Sequence, residues 1–298
     1  MTTTTSSPAP QTLSTPFQPS PLKPAFDGLV AHGYNPRTAD QSRALVIANP
    51  KVGKSTFLRS IPGAIVLDFE GGANATTCPR AYYADLSGHL TGGEAPLTRF
   101  DRVKTLLLQD AKTPTPQFKT VVIDTVDAWV DRLAAHILPN HKDGRAAWGE
   151  LQTVLMGHLD DLAQAGYGVY LGAHLNTKIL TNDNGVNQTY TELSAPESIR
   201  KRLVRWVDQL MILSATAEVV YPVKKIKLPD GKVREVQDKE NGQKTIRVWL
   251  DAKPAGTGVA SGSRVTVDHL CVPERDGYAA YAQAYAAEVE RVRASLEA

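Results

Sequence analysis

The chain has 298 residues, 42% hydrophobic and 21% charged, with a formal net charge of +2. That is ordinary globular make-up with room for one large α/β domain or two small ones. No apolar run reaches the roughly 18 residues that a transmembrane helix needs, the N-terminus lacks the basic and apolar segments of a secretory signal, and two cysteines, Cys78 and Cys271, are too few for a disulfide framework and suit a reducing cytoplasm.

Residues 1–24 are rich in Thr, Ser and Pro and carry one charge, Lys23, so they are expected to form a disordered tail. Strands and helices are then predicted to alternate. The run 44–48 reads as a strand and 55–60 as the start of a helix. A second strand covers 64–68, a helix 99–109 and a third strand 120–124. Helices follow over 128–137 and 147–165, the latter with Leu151, Val154, Leu155, His158, Leu159 and Leu162 on one face. A fourth strand covers 168–173. Near-continuous apolar strands between helices mean a parallel sheet covered on both faces.

Residues 175–196 read as a polar loop of some 20 residues, a length that is usually functional or disordered. A helix with a basic face opens at 197. Strands are predicted over 209–214, 217–227, 232–235 and 245–250, with hairpin turn signals at 229–232 and 240–243, continuing the sheet edge as antiparallel strands. A closing helix covers 277–298. Residues 200–253 hold 13 Lys/Arg and 7 Asp/Glu, a net of +6, which leaves 20 and 24, a net of −4, for the rest. Such a basic segment on an acidic body fits either a polyanion surface or a solvated hairpin face.

The chemistry starts after the first strand. Ala48-Asn49-Pro50-Lys51-Val52-Gly53-Lys54-Ser55 has the spacing of the phosphate-binding loop, with Ala48 in place of the first glycine, and Thr56 follows. Gly53 lets backbone N–H groups curl round an anion. Lys54 would reach the β- and γ-phosphates, and the Ser55 hydroxyl would sit on Mg²⁺. The third strand ends in Asp124, the carboxylate to hold Mg²⁺ beside Ser55 at the sheet edge where ligands bind. Glu70, just past the second strand and before Gly71 and Gly72, is the candidate to orient or deprotonate the attacking water. Asp68 reads as structural. His174, at the end of the fourth strand, is placed to touch the γ-phosphate.

The order of phosphate loop, Asp68-x-Glu70, Val-Ile-Asp124-Thr125 and a histidine after strand four resembles the RecA-like ATPase core. The Pro-Lys-x-Gly-Lys-Ser form of the loop, with Glu70-Gly71-Gly72 and His174, resembles the phage nucleotide-binding proteins of that class, including the RecA-like single-strand annealing proteins. The resemblance covers about residues 42–270. It implies a RecA-like P-loop NTPase, a mostly parallel α/β fold with antiparallel C-terminal strands or hairpins, the core running over 25–275 and a C-terminal helix over 276–298. It implies ATP and Mg²⁺ as cofactors, Lys54, Glu70 and His174 in catalysis, and hydrolysis stimulated by DNA. The implied assembly is a ring or filament of identical subunits with ATP at their boundary and a cation acting in trans, Lys253 or one of the arginines over 200–205. The implied task is annealing or recombination of single-stranded DNA for a phage, in the host cytoplasm, with a single-stranded DNA-binding protein as a further partner and no membrane. An ATP-driven helicase, loader or packaging motor, or a non-hydrolysing ATP-gated DNA-binding module, would share these motifs.

Two stretches match the DNA-facing loops of that fold, 141–149 and 176–196. Tyr190 and Trp148 could stack on bases, with Lys178 in the same loop as Tyr190, and Trp148 could equally anchor its helix in the core. Arg200, Lys201, Arg202 and Arg205 could line a phosphate groove or form a solvated helix face.

Overall fold

The computed structural model describes residues 37–72, 82–88, 94–181, 187–220, 223–227, 232–237, 243–254, 265–273 and 276–297. The chain divides into two units, 1–35 and 36–298. All described residues lie in the second, so the expected disordered tail falls outside them.

The parallel sheet is built as the apolar runs require. β1 (Arg43–Ala48), β2 (Ala64–Asp68), β4 (Thr120–Asp124) and the first part of β5 (Gly168–Thr181) are almost wholly buried. β3 (Tyr82–Asp85) was not expected; its Tyr82 and Tyr83 are exposed, so it carries no core pattern to read. With β7 (Gln209–Val220), β10 (Gln243–Pro254) and β11 (Val267–Val272), the strand order is β11-β10-β7-β1-β5-β4-β2-β3. The pairs from β7 to β3 are parallel, and β10 and β11 join antiparallel. This is the expected α/β class, a mostly parallel sheet with antiparallel C-terminal strands.

Both faces are covered, and side-chain alternation decides what goes where. Leu45, Ile47, Val121, Ile123, Val169 and Leu171 face one way, into a core with α2 (Pro96–Asp110), α3 (Val126–Ile137), α4 (Gly144–Gln164) and α5 (Glu197–Trp206). The residues between them face α1 (Lys54–Arg59) and α6 (Gly277–Glu297), where Phe57, Tyr278 and Tyr281 meet edge-on or tilted.

Four expectations need correcting. The stretch 175–196 is not a loop: β5 runs on to Thr181 and pairs antiparallel with β6 (Asn187–Leu193). Its Thr- and Asn-rich composition reads as loop, yet the β-branched and aromatic residues in it suit a paired two-stranded ribbon. The stretch 141–149 is not a loop either, because α4 starts at Gly144, with the Asp143 carboxylate accepting from Arg145 N at 2.9 Å as its cap. The predicted strand 217–227 is two strands. β7 ends at Val220, and β8 (Val223–Lys227) pairs with β9 (Val233–Gln237) in a separate two-stranded sheet rather than at the sheet edge. Finally, β7 is parallel to β1, so the antiparallel part begins one strand later than expected.

Candidate active site

Register brings the motifs to one edge. Val46, Gly172, Asp124, Asp68 and Asp85 stand in one row across β1, β5, β4, β2 and β3, and His174 lies two residues further on, opposite Ala48. The phosphate loop leaves β1 at the same level. Gly53 caps α1 at φ +102°, a left-handed conformation that glycine adopts without strain. Asn49, Pro50 and Lys51 are exposed, while Val52, Gly53, Ser55 and Thr56 are half-buried.

Lys54 is only 5% exposed. Its Nζ lies 3.7 Å from Asp124 Oδ1 and 3.4 Å from His174 Nε2. Asp124, 2% exposed, also has Arg59 Nη2 at 3.6 Å from Oδ2. One buried carboxylate thus faces two cations, neither within hydrogen-bond distance. Asp124 Oδ1, Arg59 Nε and Arg59 Nη2 are buried without a hydrogen-bond partner. Burial of polar atoms in that state costs free energy unless a ligand completes them.

Gly172 makes the approach possible. A Cβ there would meet Leu58 Cδ1 at 2.8 Å and Asp124 Oδ1 at 3.1 Å. Ser55 and Asp124 supply a hydroxyl and a carboxylate, hard oxygen donors suited to Mg²⁺, and the unsatisfied Oδ1 fits that use.

Glu70 is aimed by its surroundings. Phe69 beside it is fully buried against Trp129, at 5.6 Å between ring centroids, and Phe100, at 6.0 Å. Asp68 Oδ1 accepts from Glu70 N at 3.1 Å and Gly71 N at 2.8 Å, which is the structural task expected of it. Thr125, the N-cap of α3, donates its hydroxyl to Glu70 Oε1 at 2.6 Å.

His174 Nδ1 is 2.7 Å from Asp127 Oδ2 and 3.3 Å from Glu70 Oε1. The Asp127 hydrogen bond raises the His174 pKa, against burial and the nearby Lys54 charge. Burial pushes Asp127 upward, but hydrogen bonding and charge attraction from His174, with help from Lys54, leave it lowered. Glu70, Asp127 and His174 hold ligand-type atoms within 4.8 Å of one another. The 2.7 Å contact is that of a shared hydrogen, so this is a hydrogen-bonded array.

Phosphate loop, Lys54, Asp124, Glu70 and His174 therefore assemble at one edge. Arg59, Thr125 and Asp127 join them unforeseen. Asp127 comes three residues after the strand-ending Asp124, in the first turn of α3, a place that could have flagged it. Arg59 lies in an apolar helix pattern and gives no such sign.

The expected DNA residues are not brought together in this way. Trp148 is half-buried and packs against the core. The side chains of Lys178, Tyr190 and Lys253 lie outside those described. On α5, Lys201, Arg202 and Arg205 are exposed and Arg200 is half-buried. Lys201 pairs with Glu197 at 2.6 Å.

Residues 40–249 match the model of a family described as an AAA domain. No curated protein sequence matches the chain. Solved structures that do include the crystal structure of a KaiC-like protein from the hyperthermophilic archaeon Pyrococcus horikoshii. It has 10% identity and a TM-score of 0.36, with 78% of this chain and 91% of that one covered. Among the described residues no helix is long and apolar enough to cross a membrane.

Proposed function

This chain belongs to the AAA domain family, and from that premise we propose that it hydrolyses ATP at the edge formed by the phosphate loop, Asp124, Glu70 and His174, and couples turnover to single-stranded DNA. The observation that carries the hydrolytic part is the buried, incompletely bonded set of Lys54, Arg59 and Asp124 beside the phosphate loop. Loop N–H groups and Lys54 bind the triphosphate, and Lys54 gives up its distant contact with Asp124 to do so. Mg²⁺, held by Ser55 and Asp124 when bound, supplies positive charge against the phosphate oxygens. Glu70, steadied by Thr125, orients the water for attack on the γ-phosphorus and accepts its proton. Charge on the departing phosphate is stabilised by Lys54.

The DNA reading has different support. β5 runs directly from His174 into the β5–β6 ribbon, and α5 follows with exposed Lys201, Arg202 and Arg205. A phosphate-sensing histidine at the base of such a ribbon can pass the nucleotide state to whatever the ribbon touches. The task that fits is annealing or recombination of single strands of the phage type, in an assembly of identical subunits. The test is the ATPase rate with and without oligo-dT, followed by annealing of complementary strands. Stimulated turnover with annealing supports the reading. Turnover indifferent to DNA contradicts it, and duplex unwinding would favour a motor instead.

A further inference from the structure

His174 is faced by charged groups from three elements: Asp127 in the first turn of α3, Glu70 just past β2, and Lys54 at the start of α1. Asp127 meets it twice. Its Oδ2 lies 2.7 Å from Nδ1, and its Oδ1 accepts from the His174 backbone N at 3.3 Å. A carboxylate of lowered pKa is ionised and can only accept. Nδ1 therefore carries the hydrogen. In a neutral ring Nε2 is then bare, and it faces Lys54 Nζ, which can only donate, at 3.4 Å.

We propose that Asp127 is a positioning residue for ATP hydrolysis: it fixes His174 as the Nδ1–H tautomer, so that Nε2 accepts from Lys54 until nucleotide arrives and then turns to the γ-phosphate. The tautomer follows from the two contacts to Asp127 and its lowered pKa; its consequence for turnover rests on the ATPase reading above. Once Lys54 moves to the phosphates, Nε2 loses its donor. A ring whose basicity Asp127 raises takes up a proton from solvent there and presents an N–H to the phosphate oxygens. The only bond made is Nε2–H, at the expense of a solvent O–H, and the His174 ring gains one positive charge. ATP binding takes up a proton, and Asp127 sets the pH range in which it does so. α3 would then hold both Glu70, through Thr125, and His174, through Asp127.

The experiment uses full-length, nucleotide-free protein with ring-¹⁵N-labelled histidine, in wild type and Asp127→Asn. Wild type should show the Nδ1–H form of His174. In the variant the side-chain amide can donate to Nδ1, so the hydrogen should move to Nε2 and the His174 titration midpoint should fall. ATP turnover should drop about 10- to 1000-fold in kcat with KM changed less than about threefold, as expected when a catalytic ring is held in the wrong tautomer. In a His174→Ala background, Asp127→Asn should cost no more than about twofold further. An Nε2–H ring in wild type, or an unchanged tautomer and midpoint in the variant, overturns the proposal. If the variant does not fold, the wild-type tautomer alone decides. Failure of the ATPase reading would show separately, as wild-type protein that binds no ATP while the tautomer stays as stated.

Discussion

The two edges of the parallel sheet are made of the same residue types and are finished differently. At the N-terminal edge the polar groups close on one another. Asp208 takes Arg43 Nη2 at 2.6 Å, Nε at 3.2 Å and backbone N at 3.0 Å. Thr120 donates to the Asp40 carbonyl at 3.0 Å, and Tyr167 donates to the Leu107 carbonyl at 2.7 Å and Asp110 at 3.1 Å. Closure there is not complete: Gln209 Oε1 is buried without a partner. At the C-terminal edge Glu70 and His174 are hydrogen-bonded too, but Lys54, Arg59 and Asp124, more buried than Arg43 and Asp208, stop at 3.6–3.7 Å from one another. Closed polar networks hold the first edge. The second is held short of closure, as expected where a charged ligand completes the bonding.

At the C-terminal edge the chemistry hangs on the Glu70 carboxylate. Glu70→Gln keeps the Thr125 hydrogen bond and the shape but loses the charge. Single-turnover hydrolysis should slow by roughly 10²- to 10⁴-fold while ATP affinity is kept. A rate within about threefold of wild type would move the water-orienting role away from Glu70.

Two glycines of β5 sharpen the comparison, because each stands at one edge. A Cβ at Gly168 would lie 1.9 Å from the Asp40 carbonyl oxygen, a backbone atom. Gly168→Ala should therefore lower stability by about 3 kcal/mol or more, measured by urea unfolding, and leave turnover per folded molecule unchanged. At Gly172 the same methyl meets Leu58 and Asp124. Gly172→Ala should cost about 1–3 kcal/mol and also depress Mg²⁺-dependent turnover. Equal functional loss in both variants would erase the distinction between the edges.

The smallest effect concerns the DNA surface. Neutralising Arg200, Lys201, Arg202 and Arg205 together should weaken oligo-dT binding. The salt slope should flatten by roughly 0.7 for each DNA phosphate that the variant no longer neutralises. DNA-independent hydrolysis should survive. Unchanged binding at every salt concentration would take this face out of the DNA reading.

Much of this was legible in the sequence for physical reasons. Buried parallel strands are apolar throughout, so β1, β2 and β4 could be read close to their ends, and the phosphate loop followed from spacing alone. What escaped depends on tertiary contact. β3 is an edge strand with exposed tyrosines, and the β5–β6 ribbon has loop-like composition but is paired. Lys54 is buried because Asp124 and His174 fold over it, which spacing cannot convey. Arg59 and Asp127 gain meaning only when α1, α3 and β5 converge. The roles assigned to Trp148 and the basic residues of α5 rest on residue type, and Trp148 is half-buried against the core.

Lys54→Ala tests most directly whether the open edge is the nucleotide site. Asp124 keeps Arg59 in that variant, so the fold should survive with a loss of about 1–3 kcal/mol, less than a fully orphaned buried charge would cost. Titrating a fluorescent ATP analogue with Mg²⁺ into wild type and variant gives the answer. Wild type should bind saturably, and the folded variant at least about 100-fold more weakly. Equal affinity in the two proteins would contradict that.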